Sequence, residues 1–169
     1  MNDEGGPLAP ELHRDAGSCR GIGNGIPLGL RDHLRHIDDA QPQQLAVEGA
    51  QVILFEIDSA SAQTTLDSLE GKHPGRSIIL DVTNPSEVES GVQEVTSRFG
   101  SLDILVNVAG GSGRKWGDGP ADTCTLEGWH KTLDLNLNSL FYCCKYALQA
   151  MLPHQKGAIV NISSVLGMV

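Results

Sequence analysis

The sequence is short of positive charge, of long apolar runs and of paired cysteines, and each shortage removes a class of function. Lysine and arginine number 12 against 21 aspartates and glutamates, a net charge of −9 with histidine neutral. That balance repels phosphodiester backbones and anionic headgroups, so neither nucleic acid nor a membrane surface is expected as a partner. No apolar run approaches the roughly 20 residues that span a bilayer. Met1-Asn2-Asp3-Glu4-Gly5-Gly6 is acidic and polar, unlike a signal peptide or an arginine-rich transit peptide, so a cytoplasmic location is expected. Cys19, Cys124, Cys143 and Cys144 make no C-x-x-C pair, and no histidine stands at zinc-finger spacing from them. They are expected to be small apolar fillers in a reducing compartment, with no metal site. Internal repeats and low-complexity linkers are lacking too, and 169 residues suffice for one domain with a core of its own.

What is present centres on residues 102–111, Leu-Asp-Ile-Leu-Val-Asn-Val-Ala-Gly-Gly. The apolar start, interrupted only by Asp103 and closed by Gly110 and Gly111, predicts a strand buried on both faces. Asn107, Ala109 and Gly110 are small or amide-bearing. They leave room for a flat ligand at the carboxyl end of the strand, where open α/β sheets bind ligands. Around this stretch the chain alternates. Residues 45–50 end a helix at a glycine stop, and 51–56 form a strand closed by Glu56. Residues 59–69 are helical in period, with Gly71 as their stop. Residues 76–80 form a short strand leading to Asp81. Asn84 caps the next helix, with Pro85 at its first position and Glu87 three residues after the cap. Val88, Val92, Val95 and Phe99 share one face of that helix, and Gly100 ends it. The loop 110–121 carries five glycines and, with Trp116 and Asp118, reads as mobile. Thr125 caps a long helix to about Leu152, and 158–162 form the last strand. Strand and helix in alternation predict an α/β fold, a parallel sheet with right-handed crossovers.

Gly17, Gly21 and Gly23 leave backbone free to approach a pyrophosphate, whose charge a following helix N-terminus favours. Such a trio suits a plain loop equally well. Glu56, closing the next strand, is placed to accept hydrogen bonds from vicinal ribose hydroxyls, and Asp58 can share or take that role. A solvated strand end is the plainer alternative.

In order and spacing, Gly17 to Gly23, Asp81-Val82, Asn107-Val-Ala-Gly110, Asn136 and Ile162-Ser-Ser164 resemble the motifs of the short-chain dehydrogenase/reductases, continuously from Leu45 onward. The resemblance implies a doubly wound, Rossmann-like domain over 17–169. It also implies hydride transfer between a nicotinamide and a small-molecule secondary alcohol or ketone. Gly17, Gly21, Ile22 and Gly23 would hold the pyrophosphate, Glu56 the adenine ribose, and Asp81 with Val82 the adenine. Asn107, Ala109 and Gly110 would border the nicotinamide side, with Val108 in place of an asparagine of the family pattern. Ser164, ahead of its neighbour Ser163, would steady the substrate oxygen, and Asn136 would hold a water in a proton relay. Glu56 repels the 2′-phosphate of NADP, whereas Arg20 attracts it. The carboxylate is the more direct discriminator, so NAD is expected ahead of NADP.

Some family features have no match. Residues 1–16 carry Pro7 and Pro10 among charges and are expected to be poorly structured, so no convincing first strand precedes Gly17. In the family that strand is central. Its loss is expected to leave two unpaired edges. Residues 27–41 read as an atypical excess within the pyrophosphate helix, either retained non-coding or shifted-frame sequence or an actual loop insertion. The family's Tyr-x-x-x-Lys pair, in which lysine lowers the tyrosine pKa, has no counterpart after Ser164. Tyr142 and Tyr146 precede the serine and are expected to pack a helix face or cap it at the surface. The domain therefore reads as partial, lacking the later strands and inactive alone. The alternative is a non-catalytic nucleotide-binding or dimer-partner protein, with the helix 125–152 as a surface for self-association. A methyltransferase shares the glycine loop and strand-end acid but leaves Asn136 and Ile162-Ser-Ser164 unexplained.

Overall fold

The computed structural model of the chain describes residues 41–164. The expectations for Gly17, Arg20, Gly21, Ile22 and Gly23, for the segment 1–16, and for all but the last residue of 27–41 lie outside the described residues. Helix α1 (Gln41–Val47) comes first. It stops as its sequence predicts: Gly49 takes φ +93°, and the Gly49 and Ala50 N–H groups donate to Ala46 and Leu45. A β-carbon would strain that left-handed turn. There follow β1 (Ile53–Glu56), α2 (Ser59–Ser68), β2 (Arg76–Ile79), α3 (Pro85–Phe99), β3 (Ile104–Asn107), α4 (Leu126–Leu133), α5 (Ser139–Met151) and β4 (Ala158–Asn161).

Helix α2 ends at Leu69 rather than at Gly71. Gly71 answers to a neighbour instead, since a β-carbon there would stand 2.5 Å from the Ala46 carbonyl oxygen. Helix α3 matches its sequence at both ends. Asn84 Oδ1 accepts from the Ser86 N–H at 3.1 Å, Asn84 Nδ2 donates to Glu87 at 2.7 Å, and Gly100 closes the helix at φ +83°. The other Glu87 oxygen accepts from the Asp81 N–H at 2.8 Å, which ties the helix start to the end of β2. Val88, Val92 and Val95 are buried, whereas Phe99 at the far end is 39% exposed.

Among the described residues all strand pairing is parallel. Ile53 lies opposite Arg76 and Glu56 opposite Ile79; Ile104 lies opposite Ala158 and Asn107 opposite Asn161. The pairs form separate two-stranded sheets, β1–β2 and β3–β4. Among the described residues no strand joins β1 to β3, and both keep one unpaired edge. This corrects one expectation: β3 is not buried on both faces. Its residues are half-buried, and Ile104 is 37% exposed, because only one flank has a described partner strand. Asp103 stays at the exposed start of the strand. The Lys156 ammonium, 3.0 Å away, and then the Ser101 hydroxyl hold its carboxyl below the usual range.

The core is where the two helices α3 and α5 meet the strands. Leu80, Val88 and Cys143 are buried, and Phe55, Ile78, Val82, Leu105, Tyr142 and Tyr146 pack against them. Enclosing a side chain like Val88 contributes about 1.5–3 kcal/mol. Phe55 and Ile78 come from one sheet and Leu105 from the other, so side-chain packing links the pairs where strand hydrogen bonds do not. Gly91 permits the close seat of α3, as a β-carbon would meet Leu80 Cδ2 at 2.6 Å and Phe55 Cζ at 2.9 Å. Among the described residues no helix is long and apolar enough to cross a membrane.

Candidate active site

The carboxyl ends of the four strands carry the residues singled out from sequence. At the end of β1, Glu56 turns one carboxylate oxygen back on the chain, where it accepts from the N–H groups of Ile57 at 2.9 Å and Asp58 at 3.3 Å. Its second oxygen has no hydrogen bond among the described residues. Asp58 has a structural duty: Oδ1 caps α2 by accepting from the Ser61 N–H at 2.6 Å. That bond is the main cause of its lowered pKa. Beyond β2, one oxygen of Asp81 accepts from the Thr83 N–H and hydroxyl, each at 2.8 Å, and the other has no hydrogen bond among the described residues. Val82 packs against the core. Two half-buried carboxylates thus each keep an acceptor oxygen at adjacent strand ends. A ribose diol and an adenine amino group are both donors, so this set fits the adenosine half of a dinucleotide.

The tips of β3 and β4 are tied by side chains. Asn107 Nδ2 donates to Asn161 Oδ1 at 2.8 Å and to Cys144 Sγ at 3.3 Å. The Ile162 N–H donates to the Asn107 carbonyl at 2.9 Å, which extends the register one residue. Past this point Val108, Ala109 and Gly110 are exposed. The corner is held by Asn136. Its Oδ1 accepts from the Gly111 N–H at 2.9 Å, and its Nδ2 donates to the carbonyls of Gly111 and Thr132, both at 2.8 Å. Gly110 has to be small here, because a β-carbon would stand 2.9 Å from Asn136 Oδ1. Ala109 and Gly110 thus leave an exposed small-residue corner at the end of β3.

Asn136 lies in a π-helical turn, Asp134–Asn138, which interrupts what the sequence presents as one long helix. The turn separates α4 from α5, and the Ser139 N–H bonds to the Asp134 carbonyl across it. Such bulges re-aim a side chain at the cost of regular hydrogen bonding and recur at functional sites. Nothing in the apolar periodicity announces it.

The loop 110–121, read from its composition as mobile, is tied to α4 by side chains. Thr125 Oγ1 caps α4 by accepting from the Gly128 N–H at 2.9 Å, and it donates to the Trp116 carbonyl at 2.7 Å. Thr132 donates to Asp118 at 3.0 Å. Gly113 and Gly128 are buried, and β-carbons on them would strike Thr132 and the Asp118 backbone respectively. Here the glycines serve close packing of loop on helix, and composition alone does not separate that use from flexibility.

Ser163 and Ser164 follow β4 and are exposed. Tyr142 and Tyr146 are half-buried and pack against the core cluster, the first of the two alternatives expected of them, a packed helix face or a surface cap. Cys143 is an apolar filler whose thiol burial pushes up to about 11. Cys144 is not: its sulfur joins the polar ties at the strand tips. Sequence reasoning passed over Cys144 and Asn161. The available signal was an asparagine in the same place at the ends of two consecutive strands.

A family model described as enoyl-(acyl carrier protein) reductase matches residues 37–169. The 3-oxoacyl-[acyl-carrier-protein] reductase FabG of Vibrio cholerae is 35% identical over 133 residues, 79% of this chain and 52% of that protein. Among solved structures, a short-chain dehydrogenase/reductase from Burkholderia xenovorans matches with a TM-score of 0.70 and 35% identity, over 77% of this chain and 50% of the other. A variant of actinorhodin polyketide ketoreductase, crystallised with NADPH, matches with a TM-score of 0.69 and 32% identity, over 76% of this chain and 49% of the other. The chain spans about half the length of the curated relatives it matches.

Proposed function

This chain belongs to the short-chain dehydrogenase/reductase family, and from that premise we propose that its strand tips bind a nicotinamide dinucleotide for oxidoreduction of a secondary alcohol or ketone. The observation that carries the reading is the corner Ala109-Gly110, exposed and free of bulky side chains, with Asn136 bonded to both backbone groups of Gly111. The bound cofactor supplies hydride transfer. The chain's own residues bind and orient. Glu56 receives the ribose hydroxyls on its second oxygen, and Asp81 with Val82 borders the adenine. Asn107, Ala109 and Gly110 border the nicotinamide, and Ser164 steadies the substrate oxygen. Gly17, Gly21, Ile22 and Gly23 complete the pyrophosphate cradle by family resemblance. Asn136 Oδ1 keeps one acceptor site beyond the Gly111 bond, and a relay water belongs there, beside the space that Gly110 leaves.

The second oxygen of Glu56, without a hydrogen bond among the described residues, supports NAD over NADP, because a carboxylate and a 2′-phosphate repel one another. The ketoreductase relative carries NADPH, and Arg20 is the residue that would favour that choice here. Proton transfer needs an acid–base pair. No tyrosine follows Ser164 in the 169 residues, and Tyr142 and Tyr146 are engaged in the core. Without that pair, these 169 residues on their own are expected to bind cofactor but not to turn substrate over. The exposed apolar side chains Trp129, Leu137, Phe141, Leu148 and Leu152 support self-association through the α4–α5 helix. Titration calorimetry with NADH and NADPH is the test. Saturable binding, tighter for NADH and reversed by Glu56→Arg, is expected, without nicotinamide-dependent turnover of ketones. Absence of heat from either cofactor would sink the reading, tighter NADPH binding would reverse the cofactor choice, and turnover above background would overturn the claim of inactivity.

A further inference from the structure

The helical rod α4–α5 touches the β3 end at two places. Asn136 holds Gly111 on the far side of the small-residue corner. On the near side Cys144 holds Asn107. Between the two ties stand only Val108, Ala109 and Gly110, all exposed. The near tie is a closed ring. One Asn107 Nδ2 hydrogen goes to Asn161 Oδ1 at 2.8 Å and the other to Cys144 Sγ at 3.3 Å, while the Cys144 thiol donates to Asn161 Oδ1 at 3.8 Å. Three elements meet there, β3, α5 and β4. Asn107 opens the loop to Ala109 and Gly110, and Asn161, its register partner, opens the loop to Ser163 and Ser164.

We propose that Cys144 is a positioning residue for the nicotinamide side of the site: its thiol closes the Asn107–Asn161 ring and fixes the take-off of both ligand-facing loops. The proposal rests on the dinucleotide reading above and adds a residue to it. The thiol must both accept and donate, so size is not the requirement. Serine meets both demands, and alanine and valine meet neither. Losing one hydrogen bond of ordinary net strength predicts about two- to tenfold weaker binding, and losing both predicts more.

The experiment measures NADH binding to the full chain and to Cys144→Ala, Cys144→Ser and Cys144→Val. The valine variant keeps the side-chain bulk and serves where alanine yields no folded protein. Weaker binding by Cys144→Ala and Cys144→Val, with Cys144→Ser within about twofold of wild type, is the expected result. Equal binding by all four proteins overturns the proposal, as does a serine variant as weak as the valine one. If the wild-type chain binds neither NADH nor NADPH, the functional reading fails on its own, and amide hydrogen exchange at Gly110 and Gly111 then decides the ring. Faster exchange in Cys144→Val, restored in Cys144→Ser, supports it; unchanged exchange in Cys144→Val refutes it.

Discussion

Asn136 shows how much one amide can do. It accepts one hydrogen bond and donates two, and two of the three go to the backbone of Gly111. Asparagine is suited to this because it offers donor and acceptor on one planar group. Aspartate has the same shape but no donor, so it would face the carbonyls of Gly111 and Thr132 with a second oxygen. Asn136→Asp is therefore expected to lower stability by about 1–3 kcal/mol, read from chemical denaturation. The effect should shrink at pH below the carboxyl pKa, where the protonated acid regains one donor. The family motif marks Asn136 in the sequence, but its partner Gly111 stands 25 residues away, and no local pattern connects them.

At the scale of elements, the unit 110–133 behaves as one piece. The three-residue helical turn Arg114–Trp116 and helix α4 are locked by Thr125, by the Asp118–Thr132 bond and by the buried Gly128. In an isolated helix, replacing Gly128 with alanine would gain up to about 1 kcal/mol of propensity. Here the new β-carbon would stand 2.6 Å from the Gly117 carbonyl carbon as well as striking the Asp118 N–H group. Overpacking against backbone costs about 1–3 kcal/mol, so Gly128→Ala is expected to lower the thermal midpoint rather than raise it. A raised midpoint would mean that the loop is not seated on α4. The sequence shows the Thr125 cap plainly. It cannot show that the loop glycines are contact points, because the surface they touch is assembled only when α4 folds back beside them.

For the molecule as a whole, the distribution of apolar surface has a consequence. Leu137, Phe141, Leu148 and Leu152 recur at helical spacing and are 57%, 59%, 45% and 68% exposed. Exposed apolar residues gathered along one side of a helix offer an interaction face. A charge at Phe141, which lies outside the buried cluster and meets the Tyr142 ring edge-on, should prevent association. Sedimentation of the wild-type chain is expected to show a species larger than the monomer, and Phe141→Glu is expected to sediment as the monomer with unchanged circular dichroism. A wild-type chain that stays monomeric at high concentration would remove the basis for a shared helix face.

The sequence by itself determined the order of elements, the caps Asn84 and Thr125, the stops Gly49 and Gly100, the parallel α/β class and the family. Each of these follows from local chemistry or from short motifs in a fixed order. The buried face of α3 was legible for the same reason, because its period matches the helix. Only the tertiary structure decided the π turn at Asn136, the pinned loop, the half-buried state of β3 and the place of Cys144 beside Asn107 and Asn161. These depend on groups far apart in the chain, whose meeting is fixed by strand register and helix packing rather than by any neighbouring residue.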